Sequence, residues 1–232
     1  MQDRVNALSM LRKDMAGNAD MLSAIIENRA DLLYVSEDCV LLREKGSELL
    51  QLKCEKVEAL AAVAKYLDHA KCVVVHDEAC REALLAQGFQ TDMGVYQCFY
   101  PGHSIEVDEN ADIRRLDQSY LDTIVAHYHL SNDPAYIATL IETQGIYGLF
   151  VENELAGFIG SHDDGSMGLL EIFEPYRQRG YAYQLESFLI KQKLSERKVP
   201  YCQVIVGNDV SLALQKKLGM EISSSRVYWL DR

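Results

Sequence analysis

Apolar positions along the chain alternate between a spacing typical of helices and one typical of strands. Residues 1–30 place apolar side chains three and four positions apart, with a break at Gly17-Asn18, which predicts two helical segments. Residues 31–52 change to three short apolar runs between polar turns, which predicts three antiparallel strands. The next predicted elements are a helix over 57–67, a strand over 72–75, a helix over 78–86 and a strand over 94–100.

The second half of the chain repeats this alternation after a polar segment. Residues 101–110 have no hydrophobic period and predict a linker. The elements predicted beyond it are a strand over 112–116, a helix over 117–129, a helix over 132–143 capped at Asn132 or Asp133, two strands within 148–160, a strand that ends near 173, a helix over 183–193, a strand over 202–206 and a helix over 212–218. This order indicates an α/β or α+β protein.

An internal repeat relates the two halves. A shift of 131 residues aligns 73–89 with 204–220 and matches Asp77 with Asn208 and Cys80 with Ser211. Residues 49–52 correspond to 169–172 at a smaller shift, so the first copy lacks the residues that follow this strand. We interpret the repeat as two similar domains, 1–103 and 104–232. The alternative is chance recurrence of a strand–helix–strand pattern, which is common in proteins of this class.

The stretch from Leu169 to Ala182, LLEIFEPYRQRGYA, is an apolar run followed by a short loop that opens a helix. Such a junction aims backbone N–H groups and the positive end of the helix dipole at one small volume, which suits phosphate oxygens. Gly180 lets the backbone approach a ligand closely, and Arg177 and Arg179 add charge-assisted donors. The structural alternative is that arginine and glycine here only shape the start of a helix.

Composition and charge narrow the functional classes. A chain of 232 residues with net charge −12 disfavours nucleic-acid binding, because phosphate backbones require a basic face. Binding of an anionic ligand would need local positive charge, and six basic residues are expected near the loop: Arg177, Arg179, Lys191, Lys193, Lys216 and Lys217.

The N-terminus is charged throughout and no apolar run reaches about 18 residues, so neither a signal peptide nor a membrane partner is predicted. The six cysteines include no Cys-x-x-Cys pair and no histidine at zinc spacing. We therefore predict reduced thiols, no metal site and a cytoplasmic protein.

The order strand, Arg-x-x-Gly-x-Ala, helix, strand, Asn-x-x-Ser-x-x-Leu resembles the core of the GCN5-related N-acetyltransferases, the GNAT superfamily. The residues most similar to its FR47-like and glycine N-acyltransferase-like branch are Gly168-Leu169-Leu170, Pro175-Tyr176-Arg177, Gly180-Tyr181-Ala182, Asn208, Ser211 and Lys217-Leu218-Gly219. The resemblance covers about residues 111 to 230. It implies a tandem GNAT-like fold, with a mixed, mostly antiparallel sheet flanked by helices in each half and a degenerate N-terminal half without the phosphate loop.

The resemblance also implies a reaction. An amine, either a small molecule or an amino acid, would attack the thioester of acetyl-CoA or another acyl-CoA directly, without an acyl-enzyme. The implied cofactor-binding residues are Ile172, Phe173, Arg177, Gln178, Arg179, Gly180, Tyr181, Ala182, Tyr183, Asn208 and Ser211. Of these, Ile172 and Phe173 would follow the pantetheine arm through main-chain groups, and 177–182 would hold the pyrophosphate.

For the catalytic base, Glu171 is the first choice, because it is a carboxylate in an apolar run and burial would raise its pKa toward neutrality. The alternatives are Tyr183, Tyr228 and His162. Two departures from the family pattern bear on the chemistry: Gln215 stands where many members have a tyrosine that could act as an acid, and Ser166 where several have a glutamate. A non-catalytic acyl-CoA-binding module is therefore a second hypothesis. The protein could be a monomer or a homodimer.

Overall fold

The computed structural model describes residues 2–47, 49–128, 130 and 133–232. The chain forms two compact units: unit 1 comprises Met1–Phe99 and Gln203–Arg232, and unit 2 comprises Tyr100–Cys202. Among the described residues, none of the helices has the length and apolarity that crossing a membrane would require.

The elements follow the predicted alternation of helices and strands. The helices are α1 (Gln2–Leu11), α2 (Ala19–Ile26), α3 (Leu60–Leu67), α4 (Glu78–Leu85), α5 (Leu121–His127), α6 (Pro134–Thr143), α7 (Tyr181–Ser195) and α8 (Asp209–Lys217). The strands are β1 (Ala30–Val35), β2 (Cys39–Glu44), β3 (Leu50–Cys54), β4 (Cys72–Val75), β5 (Gln90–Phe99), β6 (Asp112–Arg115), β7 (Ile146–Val151), β8 (Glu154–Ser161), β9 (Met167–Ile172), β10 (Tyr201–Ile205), β11 (Glu221–Ile222) and β12 (Val227–Asp231).

Predicted and observed boundaries agree to within a few residues for most elements. Two predictions fall partly outside the described residues, namely the end of the helix at His129 and the cap at Asn132. The helix after them begins at Pro134, and the Asp133 side chain caps it by accepting a hydrogen bond from the Ala135 N–H.

The sheet of unit 1 has the order β1-β2-β3-β4-β12-β5, and β11 pairs with β5. The three N-terminal strands pair antiparallel, as predicted, and β3 pairs parallel to β4. Strand β12 is antiparallel to both of its neighbours, β4 and β5. Residues 203–232 therefore group with unit 1, although sequence analysis assigned them to the C-terminal domain.

The two faces of this sheet bury different side chains because strand residues alternate in direction. On one face, Leu41, Leu52 and Val75 pack with α3 and α4, and all three are fully buried. On the other face, Val40 and Leu42 pack against α1 and α2. The helical periodicity of residues 1–30 thus belongs to a core.

The internal repeat is visible in local structure. At the start of α4 the Asp77 carboxylate accepts a hydrogen bond from the Cys80 N–H at 3.0 Å, and at the start of α8 the Asn208 amide oxygen accepts one from the Ser211 N–H at 3.1 Å. Both are helix N-caps at positions that the shift of 131 residues equates. Only residues 55–59 separate β3 from α3, so the first copy has no counterpart of the loop between β9 and α7.

Unit 2 contains an antiparallel run of strands in the order β9-β8-β7-β6, with Cys202 paired in parallel to Met167. Helices α5 and α6 pack on this sheet through Ile124, Ile137, Phe158 and Leu169, each at most 1% exposed. Together the two units confirm the predicted fold class, a mostly antiparallel sheet flanked by helices in each half.

The segment predicted as a linker is bound to unit 2. Lys191 on α7 forms an ion pair with Glu109 at 2.6 Å, and Gln184 on the same helix donates to Asp108 at 3.5 Å. Residues 108–109 thus lie along α7 instead of spanning free between domains.

Cys39 and Cys54 face each other across β2 and β3, with their Cα atoms 4.1 Å apart, and form a disulfide. Cys72, Cys80, Cys98 and Cys202 are not part of this disulfide and remain thiols. The expectation that all six cysteines are reduced is therefore wrong for this pair. It failed because the pairing depends on strand register, which brings together two residues that lie 15 apart in sequence.

Candidate functional site

Strand β9 carries an irregularity just before the predicted phosphate loop. Its pairing with β8 passes from Gly160↔Gly168 to Phe158↔Glu171, so β9 has one more residue than β8 over this interval. Leu169 lies in this bulge with a positive φ of 49°. A bulge bends the strand and changes the direction of the side chains that follow it. Here those side chains belong to the residues that lead into the loop.

The loop ends in a tight turn at Gly180, whose φ of +83° is a left-handed conformation that favours glycine. A Cβ atom at this position would meet no atom within 4 Å, so the space in front of the turn is open. Helix α7 begins at Tyr181, and Gln184 N–H donates to the Gly180 carbonyl at 3.1 Å. The N–H groups of Tyr181 and Ala182 thus precede this intrahelical bond, as in a helix-terminal anion site.

The Arg177 side chain binds two groups at the end of strand β9. Its Nη2 atom pairs with Glu171 Oε1 at 2.9 Å, and its Nε atom donates to the Ile172 carbonyl at 2.9 Å. The Glu171 side chain is 23% exposed and that of Arg177 58%. The carboxylate of Glu171 therefore lies in a charged, partly solvated setting and not in the apolar one that the sequence suggested.

The main-chain groups expected to follow a pantetheine arm have partners within unit 2. Phe173 N–H donates to the Ala156 carbonyl at 2.9 Å, which continues the pairing of β9 with β8. Since the peptide joining Ile172 and Phe173 points its carbonyl the opposite way, that carbonyl faces away from β8, where the Arg177 side chain binds it.

An open pocket of about 440 Å³ lies beside this segment. It is lined by His127, Glu171, Phe173, Glu174, Pro175, Tyr176 and Arg177. The imidazole of His127 lies 4.2 Å from the ring of Phe173, measured between centroids, and its Nδ1 atom is 2.8 Å from the Thr123 carbonyl oxygen. Sequence analysis missed His127 as a site residue because only the fold brings the end of α5 to the end of β9.

The remaining loop residues differ in what they contact. Arg179 is exposed, with its guanidinium carbon 5.9 Å from the centre of the Tyr176 ring, and Gln178 is exposed with a positive φ of 62°. Of the lysines expected nearby, Lys191 pairs with Glu109, whereas Lys193 is buried and donates to the Gly165 carbonyl at 2.7 Å. Arg179 is thus the basic residue of the loop best placed to meet an anion.

Other predicted site residues lie in unit 1. Asn208 and Ser211 come together at the start of α8, where the Asn208 side chain serves as the cap. Gln215, on the same helix, is 2% exposed. Tyr228, an alternative for the base, donates from its hydroxyl to Glu78. In the part of the chain that is described, no cluster of three or more His, Cys, Asp or Glu side chains could hold a metal ion.

His162, another alternative for the base, lies in the turn between β8 and β9 and contacts the hydroxyl groups of Tyr128 and Tyr136. Sequence analysis missed both tyrosines. They precede His162 by 34 and 26 residues, and no local pattern links them to it.

Part of the sequence matches a known protein family. The sequence model of the FR47-like protein family matches residues 144–230, which include β7 to β11 and most of β12. Among curated proteins, no sequence matches the chain.

Several solved structures share the fold over nearly the whole chain. A Drosophila protein covers 100% of this chain and 96% of its own length, with a TM-score of 0.65 and 11% identity. A GNAT-family protein from Novosphingobium aromaticivorans covers 94% and 97%, with a TM-score of 0.57 and 15% identity. A GCN5-related N-acetyltransferase from Kribbella flavida covers 94% and 95%, with a TM-score of 0.56 and 12% identity.

The chain therefore has the GNAT fold. Its residues 144–230, which contain the loop and helix α7, carry the FR47-like sequence. The predicted fold, and the FR47-like resemblance over residues 144–230, are confirmed.

Proposed function

We propose that this protein is an acyl-CoA-dependent N-acyltransferase, with acetyl-CoA as the expected donor and a small-molecule amine or amino acid as the acceptor. The observation that carries the proposal is the turn at Gly180, which combines a left-handed conformation, open space and the start of a 15-residue helix. These features suit the pyrophosphate of a CoA ester. The acidic net charge favours a cationic acceptor over nucleic acid.

The proposed reaction needs three contributions from the chain. The loop 177–183 binds the donor, a neutral group accepts a proton from the amine, and the amine nitrogen attacks the thioester carbonyl carbon. The C–N bond forms as the C–S bond breaks, and CoA leaves as the thiol. A cytoplasmic location, a monomeric or homodimeric state and the absence of a nucleic-acid or membrane partner belong to the same proposal.

Calorimetric titration with acetyl-CoA tests the donor site. We expect the wild type to bind, and the double variant Arg179→Ala, Gly180→Asp to lose binding, because it removes a donor, strains the turn and adds a negative charge to the phosphate position. Gly46→Asp is the matched control, since Gly46 also has a positive φ of 94° and open space for a Cβ, but lies in the turn before β3.

Each outcome of this titration has a distinct meaning. Loss of binding in the double variant but not in Gly46→Asp supports the loop as the donor site. Equal affinity of the double variant and the wild type for acetyl-CoA would show that this loop does not bind the phosphates of the donor. If the wild type binds neither acetyl-CoA nor longer acyl-CoAs, the proposal is wrong.

A second candidate is a non-catalytic acyl-CoA-binding module, and Gln215 is the observation that favours it. This residue stands where many family members have a tyrosine, and an amide neither gains nor loses a proton at physiological pH. Release of free thiol from acetyl-CoA in the presence of primary amines separates the candidates: an acyltransferase releases it, whereas a binding module binds acetyl-CoA without turnover.

A further inference from the structure

His162 lies in a cluster of hydrogen-bonding side chains in unit 2. Its Nδ1 atom is 3.0 Å from the Tyr136 hydroxyl oxygen on α6, and its Nε2 atom is 3.4 Å from the Tyr128 hydroxyl oxygen at the end of α5. The Tyr136 hydroxyl also donates to Asp163 Oδ1 at 3.4 Å. Two helices and one turn thus converge on a single imidazole ring.

The chemistry of the partners determines which ring nitrogen carries the proton. A carboxylate only accepts hydrogen bonds, so Tyr136 donates its hydroxyl proton to Asp163. The Tyr136 oxygen then accepts from Nδ1–H of His162. The unprotonated nitrogen is Nε2, which accepts a hydrogen bond from the Tyr128 hydroxyl at 3.4 Å, the longer and weaker of the two contacts.

The position of this ring along β9 places it on the proposed path of the donor. A Cβ atom on Gly168 would lie 2.4 Å from His162 Nε2, so the absence of a side chain at Gly168 makes room for the imidazole. Gly168 is four residues before Ile172 on the same strand, with the bulge at Leu169 between them. An arm that starts at the loop and follows β9 backward would bring its far end toward Gly168.

We propose that His162 accepts the proton of the acceptor amine through Nε2, with Tyr136 and Asp163 fixing its tautomer as positioning residues. The inference rests on the proposed acyltransferase function and assigns it a base other than Glu171. As the amine nitrogen bonds to the thioester carbonyl carbon, its proton passes to Nε2 and the C–S bond breaks. The imidazolium then returns the proton to the departing thiolate, so that protons and charges balance.

The charged groups around the ring are consistent with a neutral imidazole. Burial lowers the pKa of His162 and the nearby Lys193 ammonium lowers it further, while the carboxylates of Asp163 and Asp164 act in the opposite direction. Burial also raises the pKa of Tyr128 to about 12, which keeps its hydroxyl protonated at neutral pH. Glu171, by contrast, already accepts a hydrogen bond from Arg177.

The test compares His162→Gln with Glu171→Gln. Turnover of acetyl-CoA is measured by thiol release with glycine, putrescine and phenethylamine between pH 6 and pH 10, and acetyl-CoA binding by calorimetry. His103→Gln is the matched control, since His103 is an exposed histidine in unit 2. Thermal unfolding of each variant shows whether it folds.

We expect His162→Gln to lower kcat/KM at pH 7 by about 100-fold or more, with acetyl-CoA affinity and folding retained, and to recover partly at high pH, where hydroxide can accept the proton in place of Nε2. Tyr136→Phe should shift the pH profile with a smaller loss. An unchanged dependence of kcat/KM on pH in His162→Gln would overturn the assignment of His162 as the base. So would a loss of turnover in Glu171→Gln but not in His162→Gln. Neither result would contradict the acyltransferase function itself.

Two further outcomes are informative. If the wild type releases no thiol with any of the amines, the acyltransferase proposal itself is contradicted, and the role of His162 falls with it. If His162→Gln does not fold, nitrogen-15 NMR of histidine-labelled wild type decides: a neutral ring with unprotonated Nε2 at pH 7 supports the proposal, and an imidazolium or the other tautomer overturns it.

Discussion

Asp20 and His76 form a hydrogen-bonded pair in the interior of unit 1. His76 Nε2 is 2.8 Å from Asp20 Oδ1, His76 Nδ1 is 3.0 Å from the Leu52 carbonyl oxygen, and both side chains are 1% exposed. Both ring nitrogens of His76 therefore lie within hydrogen-bond distance of oxygen acceptors. The pair ties α2 to β3 and β4.

Breaking this pair should destabilise the protein strongly. Asp20→Asn would remove the carboxylate from a fully buried, hydrogen-bonded pair, and we expect the free energy of unfolding to fall by about 3–5 kcal/mol. The measurement is urea unfolding at pH 7. Glu55→Gln is the control, because the Lys13–Glu55 pair is largely exposed and contributes at most about 1 kcal/mol.

The pair also gives this measurement a pH dependence. Burial acts to raise the pKa of Asp20, but the charge and hydrogen bond of His76, aided by Gln97 and the Met21 N–H, outweigh it and lower the pKa. The unfolded state then binds the proton more readily, so the stabilisation is present above about pH 4 and is lost as the pH falls through the native pKa. The same acid slope in wild type and Asp20→Asn would contradict this.

Residue-level predictions from sequence succeeded where the signal is local. The cap at Asp133 lies two residues before the Ala135 N–H that it binds, so the local pattern before Pro134 indicates it. The pairing of Glu171 with Arg177 depends on how the loop folds back, and the approach of Tyr128 to His162 depends on helix packing. No hydrophobic period or short motif in the sequence predicts either contact.

At the scale of elements, the approach of β8 to β9 is close because Gly157 has no side chain. A Cβ atom there would lie 2.4 Å from the Glu171 carbonyl oxygen and 3.0 Å from the Ile172 Cα atom. Both are backbone atoms, which cannot rotate away. Gly157 therefore helps to position the end of β9 from which the loop departs.

We expect Gly157→Ala to lower the free energy of unfolding by about 1–3 kcal/mol, because the methyl group must push the strands apart. In Gly94→Ala, the control, the nearest atom to the new Cβ would be 3.5 Å away, an ordinary contact. Hydrogen exchange of unit 2 should show faster opening of β8 and β9 in the first variant. Equal stability of the two variants would mean that the strands yield without cost.

Most helices and strands could be predicted because their apolar periods are strong, as in 57–67 and 72–75. Strands β11 and β12 were not predicted. Strand β12 has the sequence VYWLD, a short run with no adjacent turn motif to indicate which strand it pairs with. Its position between β4 and β5 depends on contacts with residues more than 130 positions away.

At the scale of the whole molecule, unit 1 is discontinuous in sequence and unit 2 is continuous. The closing strand β12 brings Leu230, which is fully buried, into the core formed with Leu52 and Val75. The stability of unit 1 therefore depends on strand β12, which follows unit 2 in the sequence.

Leu230→Ala should destabilise unit 1 by about 2–5 kcal/mol, through lost apolar contact and the cavity that remains. Hydrogen exchange resolved by residue is the measurement, and amides of β4 and β5 should exchange faster. Asp231→Ala, which changes an exposed residue of the same strand, should stay within about 0.5 kcal/mol of wild type. Unaltered exchange in β4 and β5 would contradict the role given to β12.

The position of β12 has a consequence for biosynthesis. Ribosomes deliver the chain from its N-terminus, at about 5–20 residues per second. Residues 100–202 form a continuous unit, whereas the first 99 residues wait for strand β12 at Val227–Asp231. Until that strand emerges, β4 and β5 expose the edges that it will cover, so the sheet of unit 1 stays unfinished while the whole of unit 2 is synthesised.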